Sequence, residues 1–216
     1  MSKKIVVLIS GSGSNLQAIM DAIDAKRING SIACVISNKA DAYGLVRAAH
    51  AGIETQTLNH KEFESREAFD HALQQTVDQY APDIVVLAGF MRILTPGFVQ
   101  HYQGRMLNIH PSLLPKYKGL HTHKRALEAG DKEHGCTVHL VTEELDGGPL
   151  LVQASVPILE GDTEDTLQQR VHQQEHIAYP LAVELMCEDR ITLTESGILY
   201  DGEPLQSSGI QVAYSA

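Results

Sequence analysis

Asn108 and His110 stand two residues apart in the run Leu107-Asn108-Ile109-His110-Pro111-Ser112-Leu113-Leu114-Pro115. If that run closes a β-strand, both side chains leave the same face of the sheet. An amide able to donate to a growing negative charge would then sit beside an imidazole that titrates near neutrality. Two prolines stiffen the loop that follows. Asp146, in Glu144-Leu145-Asp146-Gly147-Gly148, is a carboxylate that could reach the ring. An Asp before Gly also makes turns for its own sake, so its type alone does not assign it.

A second cluster lies near the start of the chain. The apolar run Ile5 to Ile9 leads directly into Ser10-Gly11-Ser12-Gly13-Ser14-Asn15 and then a helical pattern. Ligands of open parallel sheets bind where strands end. The N–H groups that open a helix, with the Ser14 hydroxyl and the Asn15 amide, suit a phosphate. The same loop could be only a tight strand-to-helix turn. A dinucleotide site is disfavoured, because no third glycine follows Gly11 and Gly13 and Ser37-Asn38-Lys39 stands where a ribose-binding acid belongs. No Gly-Lys-Ser/Thr occurs, which disfavours nucleoside triphosphate hydrolysis.

These residues need a scaffold, and the chain alternates strand and helix patterns as βαβ units do. Strands are expected at Ile5–Ile9, Ile32–Ile36, Glu54–Leu58, Ile84–Ala88 and Arg105–Ile109. Helices are expected at Leu16–Ala25, at Tyr43–Ala51, and where Phe69, Leu73, Val77 and Tyr80 recur at helical spacing. The run from Ile84 to Ala88 is apolar on both faces, as in a central parallel strand. Thr137–Val141 and Leu150–Val156 are joined too briefly for a helical crossover, so they should pair antiparallel or lie at an edge. Asp162 and Thr163 read as a cap for a helix reaching about Cys187 and interrupted or kinked near Pro180. A hairpin around Ser196-Gly197 and a loose polar tail from Ser207 complete the pattern. The expected architecture is α/β: a single doubly wound, mostly parallel sheet with late antiparallel strands. Residues 1–193 would form the catalytic domain and 194–216 a C-terminal hairpin and polar tail.

Composition narrows the function. The 216 residues are 43% hydrophobic and 20% charged, enough for a real core. The formal charge of −10 argues against a broad nucleic-acid footprint. No apolar run approaches the roughly 18 residues of a membrane span, and the short run after Lys4 does not resemble a secretory signal. Three scattered cysteines, Cys34, Cys136 and Cys187, suggest free thiols and a reducing, cytoplasmic setting. His121-Thr122-His123 with His110, His134 and His139 is a dense group of histidines. It lacks familiar zinc spacing, and no metal is expected.

With these residues in view the chain closely resembles the phosphoribosylglycinamide formyltransferases. The motifs that carry the likeness are Ile9-Ser10-Gly11-Ser12-Gly13-Ser14-Asn15-Leu16, Val86 through Leu94, Asn108 through Pro115, Gly135 through His139 leading to Leu145-Asp146-Gly147-Gly148-Pro149, and Glu175 through Pro180. The likeness spans about residues 4 to 190; His172 and the tail after about Leu193 match it less well. It implies that Asn108, His110 and Asp146 are catalytic. Gly13, Ser14, Asn15 and Glu175 would hold the phosphorylated amine, phosphoribosylglycinamide. Arg66, Met91, Arg92, Ile93, Leu94, Asn108, Thr142, Glu143, Glu144, Leu145 and Asp146 would line the site of the cosubstrate, 10-formyltetrahydrofolate. Read from the residues alone, Met91, Ile93 and Leu94 could equally be core, and Arg66 and Arg92 exposed ion pairs.

Rival readings within formyl chemistry are a tRNA formyltransferase, expected to carry a basic RNA-holding domain, and a formyltetrahydrofolate hydrolase, expected to carry a regulatory domain before the first strand. A silent folate- or nucleotide-binding module would be expected to lack one of Asn108, His110 and Asp146. The expected partners are therefore the two small substrates, with no nucleic acid and no membrane, on a monomer or weak homodimer.

Overall fold

The computed structural model describes residues 1–216. In chain order its elements are β1 (Lys3–Ile9), α1 (Ser14–Asp24), β2 (Gly30–Ser37), α2 (Tyr43–His50), β3 (Thr55–Thr57), α3 (Arg66–Asp78), β4 (Ile84–Leu87), α4 (Pro96–His101), β5 (Met106–His110), α5 (Thr122–Glu128), β6 (Glu133–Leu140), β7 (Leu150–Pro157), α6 (Glu164–Cys187), β8 (Ile191–Thr194), β9 (Gly197–Tyr200), β10 (Glu203–Pro204) and β11 (Ile210–Val212).

Eight strands form the main sheet in the order β11-β7-β6-β5-β4-β1-β2-β3. Strands β3, β2, β1, β4 and β5 run parallel, whereas β6 is antiparallel to both β5 and β7. The order reverses between β1 and β4, the switch point at which open α/β sheets bind ligands. A separate three-stranded sheet holds β8, β9 and β10.

Strand alternation explains why both faces are covered. Ile5, Val7 and Ile9 of β1 enter one core with α1 and α6, while Val6 and Leu8 enter a second core with α3 and α4. Val86 and Val85 of β4 divide the same way. A doubly apolar strand is thus a strand between two helical layers.

Helix α6 starts at a capping box, with Thr163 Oγ1 accepting from Thr166 N at 3.2 Å and Thr163 N donating to Thr166 Oγ1 at 2.9 Å. It runs on through Pro180 instead of being interrupted there. The buried side chains of Ala178, Tyr179, Ala182 and Val183 hold this stretch in the larger core, and that packing offsets the hydrogen bond the ring removes.

The tail departs most from expectation. Ile210–Val212 joins the main sheet as β11, parallel to β7. Ile210, Val212 and Tyr214 alternate and pack against the larger core, so burial orders a segment whose composition reads as polar. Helices α4 and α5 are also additions, at 6 and 7 residues too short to show helical periodicity.

Candidate active site

The ends of β1, β4 and β5 converge, and each supplies one part of the site. At β5, Asn108 pairs with Leu87 of β4 on one side and with His139 of β6 on the other. His110 is buried, and Asp146 is buried beside it. The His110 Nδ1 to Asp146 Oδ1 distance is 3.5 Å. His110 Nε2 lies 2.7 Å from the Tyr117 carbonyl oxygen, and Asp146 Oδ2 accepts from Gly119 N at 2.9 Å. Both ring nitrogens therefore face oxygen atoms of the protein. Asp146 adopts φ +52°, a left-handed conformation that Asp tolerates better than most residues.

Two clefts meet at Asn108. One is walled by Met91, Arg92, Ile93 and Leu94 after β4 and by Thr142, Glu143, Glu144, Leu145 and Asp146 after β6. The other contains Asn15, His110, His172 and Glu175, with the segment Gly119–Lys124 along its rim. Phe90, Met91 and Asn108 border both. The Asn108 amide makes no hydrogen bond to the protein.

In the first cleft, Met91 is 68% exposed, Ile93 58% and Leu145 57%. Exposure at that level excludes core packing for Met91 and Ile93; they are free apolar wall. Leu94 is partly buried and packs on the α3–α4 core. Arg92 lays its guanidinium 5.2 Å from the centre of the Phe69 ring, and its buried Nε has no partner. Glu143 is bonded to Gln100 and Glu144 to Lys118, which ties the acidic loop to α4 on one side and to the loop before α5 on the other. Arg66 is not among the lining residues. It is exposed at the start of α3, one helical turn before Phe69.

In the second cleft, Asn15 Nδ2 donates to Glu175 Oε1 at 3.0 Å across 160 residues of sequence. Asn15 Oδ1 and Glu175 Oε2 are both buried without a hydrogen-bond partner. Burial pushes the Glu175 carboxyl above its usual range, against the opposing pull of the Asn15 amide and His172. The Gly13-Ser14-Asn15 segment is split: Asn15 faces this cleft, while Ser14 faces a polar depression with Gln17, Arg27, Arg47 and His176. Gly13 has φ +75°, and a Cβ there would come 2.6 Å from Gly44 Cα. Its glycine is thus explained by chain packing before any ligand is considered. The first turn of α1 has no side-chain cap and no acidic residue, which leaves its N–H groups available to an anion.

Several residues shape the site without having been assigned a role from sequence. Ser10 Oγ donates to Asn38 Oδ1 at 2.6 Å and accepts from Met91 N at 2.8 Å, fixing the Met91 loop to the end of β1. Asp70 accepts from Thr95 N at 2.6 Å and holds the other end of that loop. His139, buried and with Nε2 unpartnered, lines the first cleft beside Asn108. For Asp70 and His139 the signal is a polar residue on the buried face of a helix or inside an apolar strand, whereas Ser10 stands in the loop after β1 and only its partners reveal its part. Of the remaining histidines, His123 Nδ1 and His134 Nε2 lie 3.0 Å apart, and burial holds both well below the usual imidazole range, at about 4. No three His, Cys, Asp or Glu side chains converge as a metal-holding group.

Residues 3–183 match the family model described as formyl transferase. The chain is 58% identical over 205 residues to phosphoribosylglycinamide formyltransferase of Escherichia coli, covering 95% of this chain and 97% of that one. It is 51% identical over 207 residues to the Haemophilus influenzae protein of the same name, covering 96% and 98%. The solved phosphoribosylglycinamide formyltransferase of Coxiella burnetii superposes with a TM-score of 0.94 at 53% identity, covering 98% and 99%. The chain belongs to the formyl transferase family, among the phosphoribosylglycinamide formyltransferases.

Proposed function

We propose that the chain moves the formyl group of 10-formyltetrahydrofolate onto the amine of 5'-phosphoribosylglycinamide, releasing tetrahydrofolate and formylglycinamide ribonucleotide for purine biosynthesis. The observation that carries the reading is the junction of the two clefts at Asn108. A donor in the Met91–Leu94 cleft and an acceptor in the Asn15–Glu175 cleft would bring the formyl carbon and the amine together there.

In this mechanism the amine attacks the formyl carbon, and the carbonyl oxygen takes up negative charge. Asn108, uncommitted to any protein partner, donates to that oxygen. His110 donates to the same oxygen or passes a proton to N10 as the C–N bond to the folate breaks. Asp146 holds the ring and, through a water, takes the proton the amine must lose. The backbone of Tyr117 and Gly119 orients His110 and Asp146, and the loop from Pro115 to His123 closes over the bound substrates as a lid.

Met91, Ile93 and Leu94 supply flat apolar contact for the pterin. Arg92, which stacks on Phe69, and Arg66, one helical turn before Phe69, meet the carboxylate end of the folate. Thr142 to Asp146 closes the other wall. The phosphate lies at the first turn of α1, near Gly13 and Ser14, and Asn15 with Glu175 takes the hydroxyl or amine donors of the sugar and glycinamide. No metal takes part. Residues 1–193 carry the groups that touch the substrates, and the hairpin and tail of 194–216 follow, the tail completing the main sheet through β11. The chain acts as a monomer or weak homodimer, without nucleic acid or membrane. No helix is long and apolar enough to cross a membrane, and the three buried free cysteines suit a reducing cytoplasm.

The direct test measures tetrahydrofolate release with glycinamide ribonucleotide and with water alone. Release that requires the ribonucleotide is expected; equal formate release without it would assign a hydrolase instead.

A further inference from the structure

His110 begins a row of polar side chains that crosses the sheet. In register, His110 of β5 faces Thr137 of β6, Thr137 faces Gln153 of β7, and Gln153 faces Gln211 of β11. Directly opposed residues point to the same side of a sheet. The row thus runs from the centre of the site to the C-terminal strand.

Its hydrogen bonds converge on the loop that leaves His110. Thr137 Oγ1 donates to the Ser112 carbonyl at 2.7 Å and accepts from Leu114 N at 3.1 Å. Gln153 Nε2 donates to the Leu114 carbonyl at 2.7 Å and to Thr137 Oγ1 at 3.1 Å. Gln211 Nε2 donates to Gln153 Oε1 at 3.2 Å. Thr137 is fully buried and Gln153 is 6% exposed, so the bonds these two make to each other and to Ser112 and Leu114 lie away from water, whereas Gln211 meets Gln153 from the exposed edge. Ser112 Oγ in turn donates to the Lys116 carbonyl, next to the Tyr117 carbonyl that meets His110. Gly209, with φ +75°, lets the tail approach β7 closely: a Cβ there would come 2.8 Å from the Leu151 carbonyl.

We propose that Gln153 is a positioning residue for His110, and that Gln211 on the C-terminal strand sets the orientation of the Gln153 amide. The last strand is then part of the catalytic unit and not an appendage to it. An amide flipped end for end would offer its oxygen to the Leu114 carbonyl, and the acceptor bond from Gln211 disfavours that flip. This inference rests on His110 being catalytic, which His110→Ala tests separately.

The experiment compares steady-state rates of Gln153→Met, Gln211→Ala and the double variant in the full-length protein. Gln153→Met is expected to lower kcat by roughly 10- to 100-fold, the scale of a small misplacement of a reacting group. KM for both substrates should stay within about twofold, because neither cleft wall contains Gln153. Gln211→Ala, at an exposed edge position that tolerates truncation, should lower kcat by a smaller factor, again with KM kept. The double variant should match Gln153→Met alone, since Gln211 acts only through Gln153. If Gln153→Met does not fold, the kcat of Gln211→Ala decides. Unchanged kcat in the folded variants, a loss that appears in KM, or strictly multiplicative effects would overturn the proposal. Near-normal turnover in His110→Ala would instead overturn the reading of the site itself.

Discussion

Asn108 borders both clefts with its amide free, so its two N–H donors can follow an oxygen whose charge grows as the reaction proceeds. Replacing it by Ala removes one donor from that oxygen and leaves the cleft walls in place. Loss of a single such donor typically costs about 100- to 1000-fold in kcat. Asn108→Ala is expected to fall in that range, with both KM values changed far less; a variant of near-normal turnover would refute the role. Met91 gives the opposite signature. Its side chain is mostly exposed, so Met91→Ala should change the unfolding free energy by no more than about 0.5 kcal/mol. If it walls the pterin, the same change should raise KM for the folate by roughly tenfold, corresponding to about 1.4 kcal/mol of lost contact. Denaturant unfolding and folate titration of one sample separate the two readings, because a core methionine would lose stability first.

At the scale of elements, α5 depends on a pair of histidines. His123 on α5 and His134 on β6 face each other at 3.0 Å, and one neutral ring must donate to the other. Burial favours the neutral forms of both, with nearby imidazoles adding to it (His172 and His110 for His123, His123 for His134), so both titrate at about 4 instead of near 6.5. For a histidine whose folded value is depressed, the unfolded chain binds protons first. The contribution is therefore complete above about pH 6.5 and is lost as pH falls from there toward 4. Thermal unfolding should give a midpoint that is level above pH 7 and falls through that window, with amide exchange in Thr122–Glu128 rising before the rest of the sheet. His134→Gln should flatten that part of the profile. A midpoint independent of pH between 7 and 4 in the parent protein would remove the pair from any such role.

For the whole molecule, the sequence made the parallel core legible because burial on both faces writes itself as the continuous apolar runs of β1 and β4. Asn108 and His110 were legible for a related reason, since two polar residues at a period of two interrupt an apolar strand. Asp146 was assignable only through the resemblance, because nothing local tells how the loop after β6 folds back to reach the ring. The strand in the tail is not legible, since three alternating apolar residues inside a polar segment carry too little weight until a neighbouring strand is known. Gln153 was invisible for the same reason: a lone glutamine in a strand signals nothing until its partners, 39 and 58 residues away, are in contact.

Long-range ties of this sort also join α6 to the site. The Tyr179 hydroxyl, fully buried, lies 2.6 Å from the Leu87 carbonyl and 3.1 Å from that of Leu107, so one side chain of α6 clamps β4 to β5 just before Asn108. Burial drives its phenol far above the usual range, so it remains a donor at any working pH. Tyr179→Phe keeps the ring and its packing but leaves buried carbonyls without that donor. The expected cost is about 1–3 kcal/mol in unfolding free energy, measured by urea denaturation. Because β4 and β5 also pair through their backbones, the clefts should survive, and both KM values should stay near those of the parent. A Tyr179→Phe protein of unaltered stability would mean that water replaces the hydroxyl and that α6 is held by apolar packing alone.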